Sequence, residues 1–387
     1  MLLAIYPIVA LGIFRFKDNT LRFDFVSITF ILFYIWCLLS ITINFIFSNR
    51  YGYSLSNLFI ALFFYCVLPL ILLLVAIACP KHYERVIDRV VIPVGCFVLL
   101  TTITTSVVYL ISPDAVIDFF VGLMKEDLIV NPIQSTSSEI QLRFSGVFYS
   151  SFTYALFCNF CFFYVIYNGL YSKWTKFWLC FGFFILIYLS LNRNGYIVFL
   201  FMVVFYFARG MINYRSNRNF TIIIGFVFAW LAFSIPVLLL VVDTSGGFVS
   251  VDSLYFKIST LFSRVNAWSV YFNNVSWLDV ILGSGFVQGL GATDFFLDNS
   301  YYHVIATGGL ALFGLLIFII VSTSMLIISS KYSKPDQFVF SYSLFAAGLL
   351  SMFINNSLFE PIFLLLYVFY PISLALGNRE FKGINEI

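Results

Sequence analysis

Long apolar runs alternate with short polar stretches along the whole chain, and most of the runs approach the ~20 helical residues that cross a hydrocarbon core of ~30 Å. Read this way, the pattern predicts about eleven transmembrane helices, near 1–14, 25–47, 58–79, 90–111, 145–168, 177–191, 195–208, 220–242, 300–328, 338–355 and 361–376. Two polar stretches are long enough to be substantial loops, 112–144 and 243–299. No soluble domain, low-complexity tract or internal repeat interrupts the series. The expectation is therefore one all-α, polytopic membrane domain over residues 1–387. The opening "MLLAIYPIVALGIF" has no basic residue before it and no small-residue cleavage site after it, so it reads as a short retained span rather than a signal peptide.

The stretch from 177 to 208 allows two readings. As one helix, its 32 residues would extend about 48 Å at ~1.5 Å per residue, with Arg193 at the bilayer centre. As a hairpin, each arm is short and Arg193 sits at the tip, in "NRNG", where Asn and Gly suit a tight turn. Charge separates the two, because Lys and Arg collect on the cytoplasmic side. The hairpin puts 15 basic residues inside and 6 outside, whereas the single helix gives 10 against 10 with Arg193 stranded in the membrane. The hairpin is the better reading, with its tip on the outer side.

Composition agrees with a bilayer environment: 61% of residues are hydrophobic and only 10% charged, against roughly 25% charged in a soluble domain. All seven cysteines fall in apolar runs, so a disulfide framework is not expected. Cys158 and Cys161 form a CxxC inside an expected span, where apolar packing explains them better than redox or metal chemistry.

With 11 of the 18 acidic residues facing out, the outer side is not broadly basic, and its few cations stand out. In "VDSLYFKISTLFSRVNAWSVYF" the apolar residues recur at helical spacing, which predicts an amphipathic helix at the membrane interface. Its Lys257 and Arg264 lie two turns apart on the polar side. The first loop holds a shorter candidate, "AVIDFFVGLM", and ends where Arg143 meets the next span. Arg143, Arg193 and Arg264 at the membrane edge suit a phosphate or diphosphate, because a guanidinium donates two parallel hydrogen bonds and keeps its charge when partly desolvated. Anchoring to lipid headgroups, or capping of the hairpin, is the structural alternative.

Three further residues carry both a chemical and a structural reading. Asp298 stands at the mouth of a span and reads as a base or, with Asn299, as a helix N-cap. His303 lies five or six residues into that span and reads as a hydrogen-bonded structural residue or a base. Glu360 precedes Pro361, where compensation of the helix N-terminus competes with catalysis. The preceding "GSG" is better explained by close packing in a loop than by nucleotide binding, since no strand comes before it. No metal-ligand cluster, Walker loop or nucleophile triad is present in the sequence, so no metal or cofactor is expected and any chemistry needs a pre-activated substrate.

Four stretches in order, "RFSGVFYSSFTYALF", "LSLNRNGY", "SRVNAWSVYFNNVSWLDVILGSGF" and "LDNSYYHVIATGGLALFG", resemble the O-antigen polymerase and ligase superfamily of bacterial inner membranes, and most closely its Wzy-type polymerases. The resemblance implies metal-independent glycosyl transfer at the periplasmic face, between oligosaccharide repeat units carried on undecaprenyl diphosphate. It implies that Arg143, Arg193 and Arg264 bind the diphosphate and that Asp298 orients or deprotonates the acceptor; the reading of the residues adds Lys257 as a further diphosphate contact and Glu360 and His303 as further catalytic candidates beside Asp298 and Arg193. The ligases usually carry His where this chain has Asp298. The implied partners are lipid-linked repeat units, membrane lipid and a chain-length regulator protein, with no nucleic acid. An O-antigen ligase and a lipid-linked oligosaccharide flippase are the rival readings, although a flippase would place cations within several spans around a central cavity.

Overall fold

The computed structural model describes residues 25–47, 54–112, 135–136, 139–140, 148, 150–168, 171–208, 275–286, 299–330, 332, 335–354 and 357–380. Apart from one two-residue antiparallel ladder, Ser135–Thr136 against Glu139–Ile140, the architecture there is all-helical. We label the helices α1 (Phe25–Phe47), α2 (Leu55–Leu62, Phe63–Val67 and Leu68–Ala78), α3 (Pro80–Ile111), α4 (Ser151–Tyr167), α5 (Lys173–Leu189), α6 (Arg193–Ala208), α7 (Trp277–Leu282), α8 (Ser300–Ser329), α9 (Pro335–Ile354) and α10 (Pro361–Phe363, Leu364–Phe369 and Tyr370–Glu380). Five of them, α1, α2, α3, α8 and α10, are long and apolar enough to cross a membrane, as a multi-pass membrane protein requires. The expected spans 1–14 and 220–242 and the amphipathic loop helices lie outside the described residues, as do Arg143, Lys257, Arg264 and Asp298.

Residues 177–208 belong to two helices. α4 and α5 run antiparallel, since Lys176 near the start of α5 donates to Ile166 O near the end of α4. α6 runs alongside α4 in the same direction: Asn159 Nδ2 donates to Gly195 O at 2.8 Å, and the rings of Tyr167 and Tyr206 meet one helix length further on. Between the arms, Tyr196 Oη donates to Tyr188 O at 2.6 Å. The turn itself corrects the sequence reading. It is made by Ser190 to Asn192, with Leu191 in the left-handed region at φ 45°. Ser190 Oγ donates to Ile187 O and accepts from Asn192 N. Arg193 is already the first residue of α6. Gly195, expected in the turn, lies in α6 and admits α4 instead: a Cβ there would fall 2.5 Å from Ala155 Cβ.

Two helices widen to π-turns, at Phe63–Val67 and Leu364–Phe369, each just ahead of a proline, Pro69 and Pro371. A proline ring clashes with the carbonyl four residues back, and a local π-turn relieves that clash. The loosened Leu365 O accepts the buried Tyr83 hydroxyl at 2.9 Å.

α8 is broken in the middle. Gly308 and Gly309 leave helical geometry, Gly309 at φ 71°, ψ −169°. The carbonyls at the break find donors on other elements. Ala306 O accepts from Ser284 N and Oγ, at 2.9 and 2.8 Å. Thr307 O accepts from Gly285 N and from Ser40 Oγ of α1, and Gly308 O from Trp36 Nε1 of α1. The "GSG" stretch is thus a packing loop: Gly283 (φ 92°) approaches so closely that a Cβ would lie 2.4 Å from Gly308 Cα.

The close approach makes a sharp prediction. Gly283→Ala adds strain at a positive φ and a backbone clash, costing of order 3 kcal/mol. Gly314→Ala in the same helix meets nothing within 4 Å and replaces a poor helix former, so it is neutral or stabilising by up to ~1 kcal/mol. Thermal denaturation of the two detergent-purified variants checks the contrast.

Candidate functional site

Helix direction gives the bundle two chemically different ends. At one end are the hairpin tip, the N-termini of α4, α6 and α8, and the loop before α10. At the other are the start of α3, the α4–α5 connection and the end of α8. Lys81, Arg85, Arg89, Lys173 and Lys176 all sit at this second end, while Arg193 is the described cation of the tip end.

The tip end is polar because α4, α6 and α8 each begin there on a capping residue. Ser150 caps α4, accepting from Thr153 N at 3.1 Å, and Asn299 caps α8, accepting from Tyr301 N and Tyr302 N. Asn192 Oδ1 accepts from Gly195 N at the start of α6, while its Nδ2 reaches Ser151 Oγ at 3.4 Å. This contact ties the hairpin tip to the top of α4. Arg193, next in sequence, is exposed and forms no ion pair among the described residues. Its neighbour Asn194 is the reverse: it is 3% exposed, and both amide atoms lack a hydrogen-bond partner among the described residues.

Glu360 approaches the same helix top. It precedes α10, but its side chain does not cap that helix. The carboxylate Oε2 instead accepts from Thr153 Oγ1 at 3.5 Å. With its one proton committed there, Thr153 accepts from Ser150 Oγ at 2.8 Å, so a hydroxyl chain runs from Ser150 through Thr153 to Glu360. The carboxylate keeps some accessible surface, yet the protein around it is dense enough to disfavour charge: burial raises its pKa from 4.5 to about 6, and the long Thr153 bond opposes this only weakly. A carboxyl group poised there can take up or release a proton near neutral pH.

His303 is fully buried in α8 and enclosed by three rings. Tyr65, Phe359 and Phe286 stand 5.8, 5.0 and 5.4 Å away, centroid to centroid. Proton transfer to a substrate would require that enclosure to open, so the geometry favours its structural reading. The loop carrying Glu360 is bound to the same half of α8, since Leu358 N donates to Ser300 Oγ at 3.1 Å.

The structure therefore gathers Arg193 and Glu360 around one helix top and puts His303 behind Phe359. Sequence reading missed Ser150, Thr153, Asn192 and Asn194. The signal for the first two was the hydroxyl run "YSSFT" at a span entrance. Among the described residues no three His, Cys, Asp or Glu side chains gather in a metal-binding group. Compared with protein-family models, curated proteins and solved structures, the chain matches none.

Glu360 also makes stability depend on pH. A folded-state pKa raised from 4.5 to about 6 means that the folded protein holds this proton more tightly than the unfolded chain. The associated stability is present below pH 4.5 and is lost as pH rises through 6. Glu360→Gln removes the buried charge, so above pH 7 it should melt higher than wild type, by at most ~2 kcal/mol, with the gap closing toward pH 4.5. Melting curves across that range test it.

Proposed function

We propose that this chain is an O-antigen polymerase of the Wzy type. It would transfer a glycan from undecaprenyl diphosphate to a hydroxyl of another lipid-linked repeat unit. The observation that carries this reading is the tip-end arrangement: an exposed Arg193, without an ion pair among the described residues, follows Asn192, whose amide meets Ser151 at the start of α4, and a carboxylate poised near neutral pH meets Thr153 of the same helix top. The four-motif resemblance in the sequence supplies the substrate class.

In this reading the protein has eleven spans in the bacterial inner membrane, and the excess of cations at the other end makes the tip end periplasmic. Arg193 binds the diphosphate through its two parallel donors, joined by Arg143, Lys257 and Arg264 from the outer loops. The acceptor hydroxyl oxygen attacks the anomeric carbon as the bond from that carbon to the diphosphate breaks. The bonding pair leaves with the diphosphate, where fixed cations stabilise the growing charge without reorganising. The hydroxyl proton passes to a carboxylate. Glu360 has the environment for that step, and Asp298, which directly precedes the capping Asn299 in sequence, is the other carboxylate candidate.

The test is the lipopolysaccharide pattern of a strain lacking the gene, compared with complemented strains. A polymerase predicts loss of the ladder with core plus a single repeat retained. Loss of every core-linked repeat would reject it, and polymer accumulating on the carrier lipid would then indicate a ligase, its absence a flippase. At equal expression, Arg193→Lys should fail to restore most of the ladder, because an ammonium cannot reproduce the bidentate contact. Near-normal ladder formation would remove Arg193 from the site.

A further inference from the structure

At the end opposite the hairpin tip, α3 starts as a charged helix and continues as an apolar one. Its segment from Val90 to Ile111 carries no charge and extends about 33 Å at ~1.5 Å per residue, which alone matches a hydrocarbon core of ~30 Å. The preceding ten residues, Pro80 to Arg89, add about 15 Å and are thereby placed at the depth of the lipid phosphates. This segment sorts its charges by face. The acids turn toward the neighbouring helices: Asp88 Oδ1 accepts from Tyr164 Oη of α4 at 2.5 Å and Tyr370 Oη of α10 at 3.4 Å. Glu84 Oε1 lies 2.7 Å from where a Cβ on Gly377 of α10 would stand.

Lys81 lies on the Glu84 side, its Cγ 3.6 Å from the same Gly377 position, while the other three bases turn elsewhere. His82, Arg85, Val86 and Arg89, spaced by three, one and three residues along one helical stripe, line a cavity of about 170 Å³. Arg85 and Arg89 are exposed and form no ion pair among the described residues. The space would hold several waters at ~30 Å³ each, or one tetrahedral anion with a few of them. Membrane orientation requires cations at this end but not a cavity lined by a histidine and two arginines.

The geometry points to a phosphate-binding site formed by His82, Arg85 and Arg89, taking the phosphate of an anionic phospholipid headgroup or a free phosphate ion. Two forked donors one helical turn apart can grip one phosphate from two sides, and Val86 forms the floor between them. This site is separate from the tip-end cluster and does not depend on the reaction proposed there.

The test measures phosphatidylglycerol binding to the full-length protein by native mass spectrometry. Phosphatidylcholine serves as the neutral comparison and inorganic phosphate as competitor. Wild type should retain phosphatidylglycerol in preference to phosphatidylcholine, and Arg85→Gln/Arg89→Gln should bind it about tenfold or more weakly. Lys173→Gln/Lys176→Gln, which removes two cations from the same end, should leave binding unchanged. Competition by millimolar inorganic phosphate would assign the site to the free ion, and its absence would assign it to the lipid. Equal retention by wild type and the arginine double variant would overturn the site, as would an equal loss in the lysine variant. Should the double variant fail to fold, each single arginine change, at an exposed position, carries the test with a loss of about threefold or more.

Discussion

A hydrocarbon environment offers no water to an open backbone carbonyl, so a broken membrane helix persists only where protein supplies the missing donors. The break at Gly308–Gly309 is the place where this constraint organises the molecule. Three successive carbonyls, Ala306, Thr307 and Gly308, receive donors from two separate directions, the Gly283–Phe286 loop and α1. Neither partner is interchangeable with a bulkier one, because the loop approaches the break backbone to backbone at Gly283 and Gly309.

That clamp reaches the tip end by short steps. It holds the first half of α8, whose Ser300 hydroxyl holds the loop before α10, which in turn brings Glu360 to Thr153. Thr153 belongs to the same helix top that Asn192 ties to the hairpin. The candidate catalytic groups thus stand on helix termini held by neighbouring elements, an arrangement that gives precise placement and leaves little room for a charged carboxylate. Glu360 and the amide of Asn194, which lacks a partner among the described residues, are costs of the kind that concentrate at functional sites.

The two ends of the bundle solve opposite electrostatic problems. The tip end keeps one described cation, the exposed Arg193, near hydroxyl and amide groups that cap the helices there. The other end collects cations, turns the acids of α3 toward tyrosine hydroxyls and α10, and leaves two arginines lining a cavity.

Much of the architecture was legible because bilayers impose long-range order on a sequence. Span length, alternation and the distribution of Lys and Arg predicted an all-helical membrane protein, and the charge argument separated α5 from α6 at Arg193. Close packing at "GSG" was also readable, since glycines without a preceding strand leave few other uses. The sequence could not show that the turn lies at Leu191 rather than Gly195, because only α4 reveals that Gly195 is needed for helix contact. Nor could it show that Glu360 binds Thr153, 207 residues away, rather than capping its own helix. Periodicity and charge bias are properties of segments against a uniform solvent, so the chain alone determined that long apolar helices build the described part of the molecule. The partners of Glu360, His303 and the α8 carbonyls depend on which segments meet, and that only the tertiary structure decided.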